Sequence, residues 1–117
     1  MSKVCIYHNP RCSKSRQALA LLEQQGEELE VIKYIETPPD SAALSALLQQ
    51  LGLSARELMR KGEDTYKELN LDNPDLSEAQ LVQTMADYPR LIERPIVIRE
   101  GKAIIARPPE KVLELYA

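Results

Sequence analysis

The sequence predicts an α/β fold built from two halves, and three observations predict it. Residues 3–35 read as strand, helix and strand. Helical spacing takes over from Asp40. Two short apolar runs then flank a Glu-Gly turn ahead of a final amphipathic segment.

Each element follows from local chemistry. KVCIY (3–7) is a short β-branched run that starts the first strand. After the HNP turn, residues 13–25 set Ala18, Leu19 and Leu22 on one helical face, and Gly26 stops the helix. EVIKYI (30–35) reads as a second strand that ends at Pro38-Pro39. The handedness rule makes this βαβ pair parallel and puts the HNP turn at the strand's carboxyl end.

From Asp40 the period changes. Leu44, Leu47, Leu48 and Leu51 share a helical face. Ser54-x-x-Glu57 is a capping box, and Ser77-x-x-Gln80 opens a further helix carrying Leu81, Val82 and Met85. PIVI (95–98), Glu100-Gly101 and AIIA (103–106) read as a hairpin. Pro108-Pro109 then start a last helix bearing Val112, Leu113 and Tyr116. The expectation is one domain over 1–117, with an all-helical insertion at about 40–88.

Composition bounds the function. With 117 residues, 44% apolar and 28% charged, the chain fits one ordinary domain, although Phe and Trp are absent and Leu, Ile, Val, Ala and Tyr must build the core. A net charge of −3 argues against a general nucleic-acid binder. No run approaches the ~18 apolar residues of a membrane helix, and no signal-peptide run opens the chain, so a cytoplasmic location is expected. Two cysteines, Cys5 and Cys12, are too few for a disulfide framework.

The chemistry concentrates at Cys12. It falls at the start of the first helix, where unpaired N–H groups and the helix dipole favour a thiolate over a thiol. Arg11, Lys14 and Arg16 add positive charge within four residues. Ser15 can donate its hydroxyl hydrogen to the sulfur. The same amides and cations suit an oxyanion, so one turn can activate a nucleophile and dock a phosphate-like substrate against it. His8 admits two readings: an imidazolium that stabilises the thiolate, or a residue that finishes the strand with a backbone hydrogen bond. Cys5, inside the first strand, reads as a small packing residue.

YHNPRCSKSR (7–16), ELMRKGEDTYKELNL (57–71), LIERPIVI (91–98) and the ARP of 106–108 closely resemble the glutaredoxin-dependent arsenate reductase family, over nearly the whole chain. The resemblance implies a thioredoxin-like βαβ…ββα mixed sheet interrupted by the helical insertion, with a cis Arg94–Pro95 bond beside the cysteine. It implies that Cys12 attacks arsenate, that His8 and Ser15 tune the sulfur, and that Arg60, Arg94 and Arg107 bind the oxyanion. Planar guanidinium groups suit that task, because they meet oxyanion oxygens in pairs and neutralise charge as an anionic thiolate approaches. Arg94 and Arg107 each precede a proline, which holds their backbone extended. Arg56 and Arg90 are instead expected as surface ion-pair partners of nearby acids.

By the same resemblance the partners are arsenate, glutathione as co-substrate and a glutaredoxin; no tightly bound cofactor and no metal are expected, and the charge and hydropathy given above lead to the expectation of no nucleic acid and no membrane. The run Cys12-Ser13-Lys14-Ser15 lacks the second cysteine of a dithiol site, in keeping with electrons from outside the chain. The chain stops sooner after its last helix than better characterised members, which leaves reduction of another oxyanion as an alternative. Related thioredoxin-fold regulators bind RNA polymerase. They resemble this chain less, because their switch carries Cys-x-x-Cys and they lack the full arginine set.

Overall fold

A computed structural model describes residues 3–116 of the chain, which form two compact units. One runs through Thr37 and resumes at Arg94; the other is Pro38–Glu93.

The first unit carries a four-stranded sheet in the order β2-β1-β3-β4. Its strands are β1 (Lys3–His8), β2 (Glu28–Lys33), β3 (Ile96–Arg99) and β4 (Lys102–Ile105). The β1–β2 pair is parallel, with Lys3 opposite Glu28 and His8 opposite Lys33. The β1–β3 and β3–β4 pairs are antiparallel. This is the thioredoxin-like mixed sheet that the resemblance implied. The strand β2 lies two residues earlier than the apolar run suggested, because its ends are set by the ladder to β1 and not by its own side chains. The hairpin turn is at Glu100-Gly101, where both residues adopt positive φ (52° and 79°), as a tight two-residue connection requires.

Alternation along β1 decides where the core lies. Val4 and Ile6 point to one face, where they meet Val97, Ala106, Ala18 and Leu22 of helix α1 (Ser13–Gln24), and Val112 and Leu115. Ser15, Ala18 and Leu22 are the buried residues of α1 and follow helical spacing. Val112 and Leu115 come from the segment Pro109–Tyr116, which is a 3-10 helix and not the α-helix expected. With three residues per turn, Pro109, Val112 and Leu115 stack on one side. Leu113, placed on the apolar face by an α-helical reading, is left 43% exposed.

Arg99 ties this end together. Its Nε donates to Glu27 Oε1 at 2.9 Å, its guanidinium donates to the Leu115 carbonyl at 2.9 Å, and it lies 4.3 Å from the centre of the Tyr116 ring. Arg94–Pro95 is cis, as the resemblance implied; Arg107–Pro108 is cis as well.

The second unit is helical: α2 (Ser41–Leu51), α3 (Ala55–Leu58), α4 (Asp64–Glu68), α5 (Glu78–Asp87) and a 3-10 turn at Pro89–Leu91. Both capping boxes read from the sequence are closed, Ser54 with Glu57 and Ser77 with Gln80. Leu44, Leu47, Leu48, Leu81, Val82 and Met85 are all buried. Arg56 departs from its expected ion pair. It donates to the carbonyls of Leu71 and Asn73, at 3.3 and 2.9 Å, and so holds the loop after α4. Among the described residues no helix is long and apolar enough to cross a membrane.

Candidate active site

The turn between β1 and α1 is built from its own short-range bonds. The Cys12 N–H donates to the Asn9 carbonyl at 3.0 Å, which closes a β-turn with Pro10 at its first corner. The Arg11 N–H donates to Asn9 Oδ1 at 3.0 Å. The Arg16 guanidinium reaches back to the Pro10 carbonyl at 2.8 Å. Asn9 was not singled out in the sequence, although Asn before Pro is a recognisable turn signal.

Cys12 is the N-cap of α1, extended at φ −94°, ψ 121°, and its sulfur closes no capping hydrogen bond. It is half-buried, so a reagent in solution can reach it. Burial acts first and pushes its pKa up. The N–H of Ser15, the charge of Arg94, the N–H of Lys14 and the charge of Arg107 together outweigh burial and hold the thiol below its ordinary value. The cations that bear most on the sulfur are therefore Arg94 and Arg107, and not its neighbours Arg11, Lys14 and Arg16. Arg107 also donates to the Arg94 carbonyl at 3.2 Å, which links the two.

Ser15 departs from its expected contact. Its Oγ lies 2.6 Å from His8 Nδ1 and accepts from the Asn9 N–H at 3.0 Å. With the serine fully buried and no hydroxyl bond to sulfur formed, its hydrogen needs an acceptor, and Nδ1 is the one in reach. This assigns the His8 proton to Nε2. Ser15 thus acts on Cys12 through its backbone and on His8 through its side chain.

His8 follows Val4 and Ile6 on the inward face of β1 and is 5% exposed. Burial first, then the charges of Lys33 and Arg16, hold its pKa below the usual 6.5. This lowering favours the uncharged imidazole at neutral pH, and its Nδ1 faces the Ser15 hydroxyl.

Arg60 belongs to the helical unit, where it pairs with Glu63 at 3.2 Å and with Glu93 at 3.8 Å. Cys5 is half-buried in β1, on the face opposite Val4 and Ile6. No cluster of His, Cys, Asp and Glu fit to hold a metal occurs among the described residues.

Residues 7–115 match the ArsC family. The Escherichia coli K12 protein designated uncharacterized protein YfgD is 61% identical over 114 residues, covering 97% of this chain and 96% of that protein. An arsenate reductase of Neisseria meningitidis serogroup B is 53% identical over 113 residues, covering 96% and 97%. Among solved structures, the arsenate reductase from Vibrio cholerae aligns with a TM-score of 0.94 at 56% identity, over 97% of each chain.

Proposed function

The chain belongs to the ArsC family, and from that premise we propose that it reduces arsenate to arsenite, with Cys12 as nucleophile and glutathione and a glutaredoxin as the source of electrons. The observation that carries the reading is the state of Cys12: a half-buried thiol at a helix start, held below its ordinary pKa by two backbone N–H groups and by Arg94 and Arg107. The names of the relatives from Neisseria meningitidis and Vibrio cholerae agree with it.

In this reading the Cys12 thiolate attacks pentavalent arsenic. A sulfur–arsenic bond forms, and one oxygen leaves as water after protonation. Glutathione sulfur displaces a second oxygen in the same way. A glutaredoxin thiolate then takes the glutathione sulfur as a mixed disulfide, and the electron pair of the broken glutathione–arsenic bond stays on arsenic, which becomes trivalent. Hydrolysis of the remaining sulfur–arsenic bond frees arsenite and restores Cys12. The external thiols are needed because Cys5, the other cysteine, lies within β1 and Cys12 has Ser13, Lys14 and Ser15 after it.

Arg94 and Arg107 have a double task here, lowering the thiol pKa and meeting the oxyanion with paired hydrogen bonds. An oxyanion-binding role for Arg60 rests on the resemblance of its sequence context alone. His8 and Ser15 hold the head of α1 in register with β1, which keeps the Ser15 N–H directed at the sulfur.

The test is direct measurement of arsenite from arsenate, glutathione and a glutaredoxin. Arsenite should appear only with all three and with Cys12 intact. A blank assay, together with recovery of RNA polymerase in a pull-down, would replace this reading with the regulator.

A further inference from the structure

We propose that Glu63 and Glu93 form a carboxylate latch on Arg60, one that an oxyanion must displace to use this guanidinium and that closes again on an uncharged product. The inference rests on the proposed role of Arg60 in oxyanion binding.

Its structural basis lies within the helical unit. Met59 and Ile92 form an isolated antiparallel bridge. The flanking bonds are Arg60 N–H to the Leu91 carbonyl at 2.7 Å and Glu93 N–H to the Leu58 carbonyl at 3.0 Å. Arg60 and Glu93 are therefore diagonal neighbours on one side of the bridge, a spacing that long side chains can cross. The Glu63 N–H donates to the Arg60 carbonyl at 3.2 Å, and this turn brings the second carboxylate to the same guanidinium. The side chains are between 27 and 29% exposed, so the cluster is open to exchange with a solution anion.

A guanidinium already paired with Glu63 and Glu93 attracts an approaching dianion less than one without carboxylate partners. Arg60 becomes available only in the fraction of molecules whose latch is open, and apparent affinity falls by that fraction. Arsenite carries no charge at neutral pH and cannot compete with two carboxylates, so closure favours its release. The latch thus trades oxyanion affinity for product departure.

The experiment compares wild type with Glu63→Gln, Glu93→Gln and the charge control Glu68→Gln, an exposed acid at the end of α4. Four quantities are read: modification of Arg60 by phenylglyoxal, mapped by mass spectrometry; the arsenate concentration that half-protects Cys12 from iodoacetamide; and KM and kcat for arsenate. Each latch variant should raise Arg60 modification and lower both the half-protecting concentration and KM by about two- to fivefold, the range of a part-exposed ion pair, with kcat changing less. Glu68→Gln should do none of this. Unchanged or higher half-protecting concentrations in both latch variants would overturn the proposal, because the carboxylates would then be idle or would position Arg60. If wild type neither binds nor reduces arsenate, it is the proposed function that fails; if wild type turns over and the variants match it, only the latch fails.

Discussion

The hydroxyl of Ser15 lies 2.6 Å from Nδ1 of His8, where the inward face of α1 meets the inward face of β1. Ser15 continues the buried stripe of Ala18 and Leu22, and His8 continues that of Val4 and Ile6. The polar pair is the point where two apolar stripes reach the turn that carries Cys12. Their bond leaves the Ser15 N–H for the sulfur.

Ser15→Ala separates the two roles of that residue. It leaves the buried His8 Nδ1 and the part-buried Asn9 N–H without their partner, which should cost about 1–3 kcal/mol in urea unfolding. The alkylation midpoint of Cys12 should move little, since the backbone N–H remains. A large upward midpoint shift with unchanged stability would instead put the hydroxyl on the sulfur.

The buried state of His8 predicts a pH dependence with a definite sign. Its folded pKa lies below the unfolded value of about 6.5, so the unfolded chain binds the proton more readily. Its stability contribution is complete above about pH 6.5 and declines as pH falls toward the folded value. Urea titrations at descending pH should show this decline in wild type and a flatter one in His8→Gln. Equal slopes in both proteins would contradict the assignment.

Iodoacetamide alkylation across pH reads the Cys12 thiol directly. Its midpoint should lie below the free value of about 8.5. Arg94→Ala should raise it more than Arg107→Ala does, and Arg11→Ala should raise it less than either. The reverse order would return the activation to the local cations.

Lysine substitutions separate charge from geometry. Lys at position 60, 94 or 107 keeps the cation and loses the planar fork, so each variant should impair arsenate turnover, while Arg94→Lys and Arg107→Lys leave the Cys12 midpoint nearly in place. Cys12→Ser should abolish turnover. Normal turnover of all three Lys variants at low arsenate would move the oxyanion elsewhere.

In the helical unit, Ser77→Ala removes the acceptor of the Gln80 N–H at the head of α5. About 0.5–2 kcal/mol of stability should go with it in denaturant unfolding, with the arsenate assay unaffected by the cap itself.

Much of this molecule was determined by its sequence alone, wherever the responsible forces act within a few residues. The alternation of Val4 and Ile6, the helical spacing of Ala18 and Leu22, the two capping boxes and the Glu100-Gly101 turn each set their own element. The position of Cys12 at a helix start is legible for the same reason, since Asn9, Pro10 and the helix that follows are adjacent to it. Tertiary structure decided what depends on partners distant in the chain. The end of β2 follows its ladder to β1, and the 3-10 form of Pro109–Tyr116 is the one that seats both Val112 and Leu115 in the core. The sulfur takes its positive potential from Arg94 and Arg107, which lie far from it in the chain and are linked by the Arg107 bond to the Arg94 carbonyl, whereas the nearby Arg16 is bonded to the Pro10 carbonyl. His8 favours its uncharged form because packing strips it of water and β2 sets Lys33 opposite it, and neither burial nor register is written in the residues beside it.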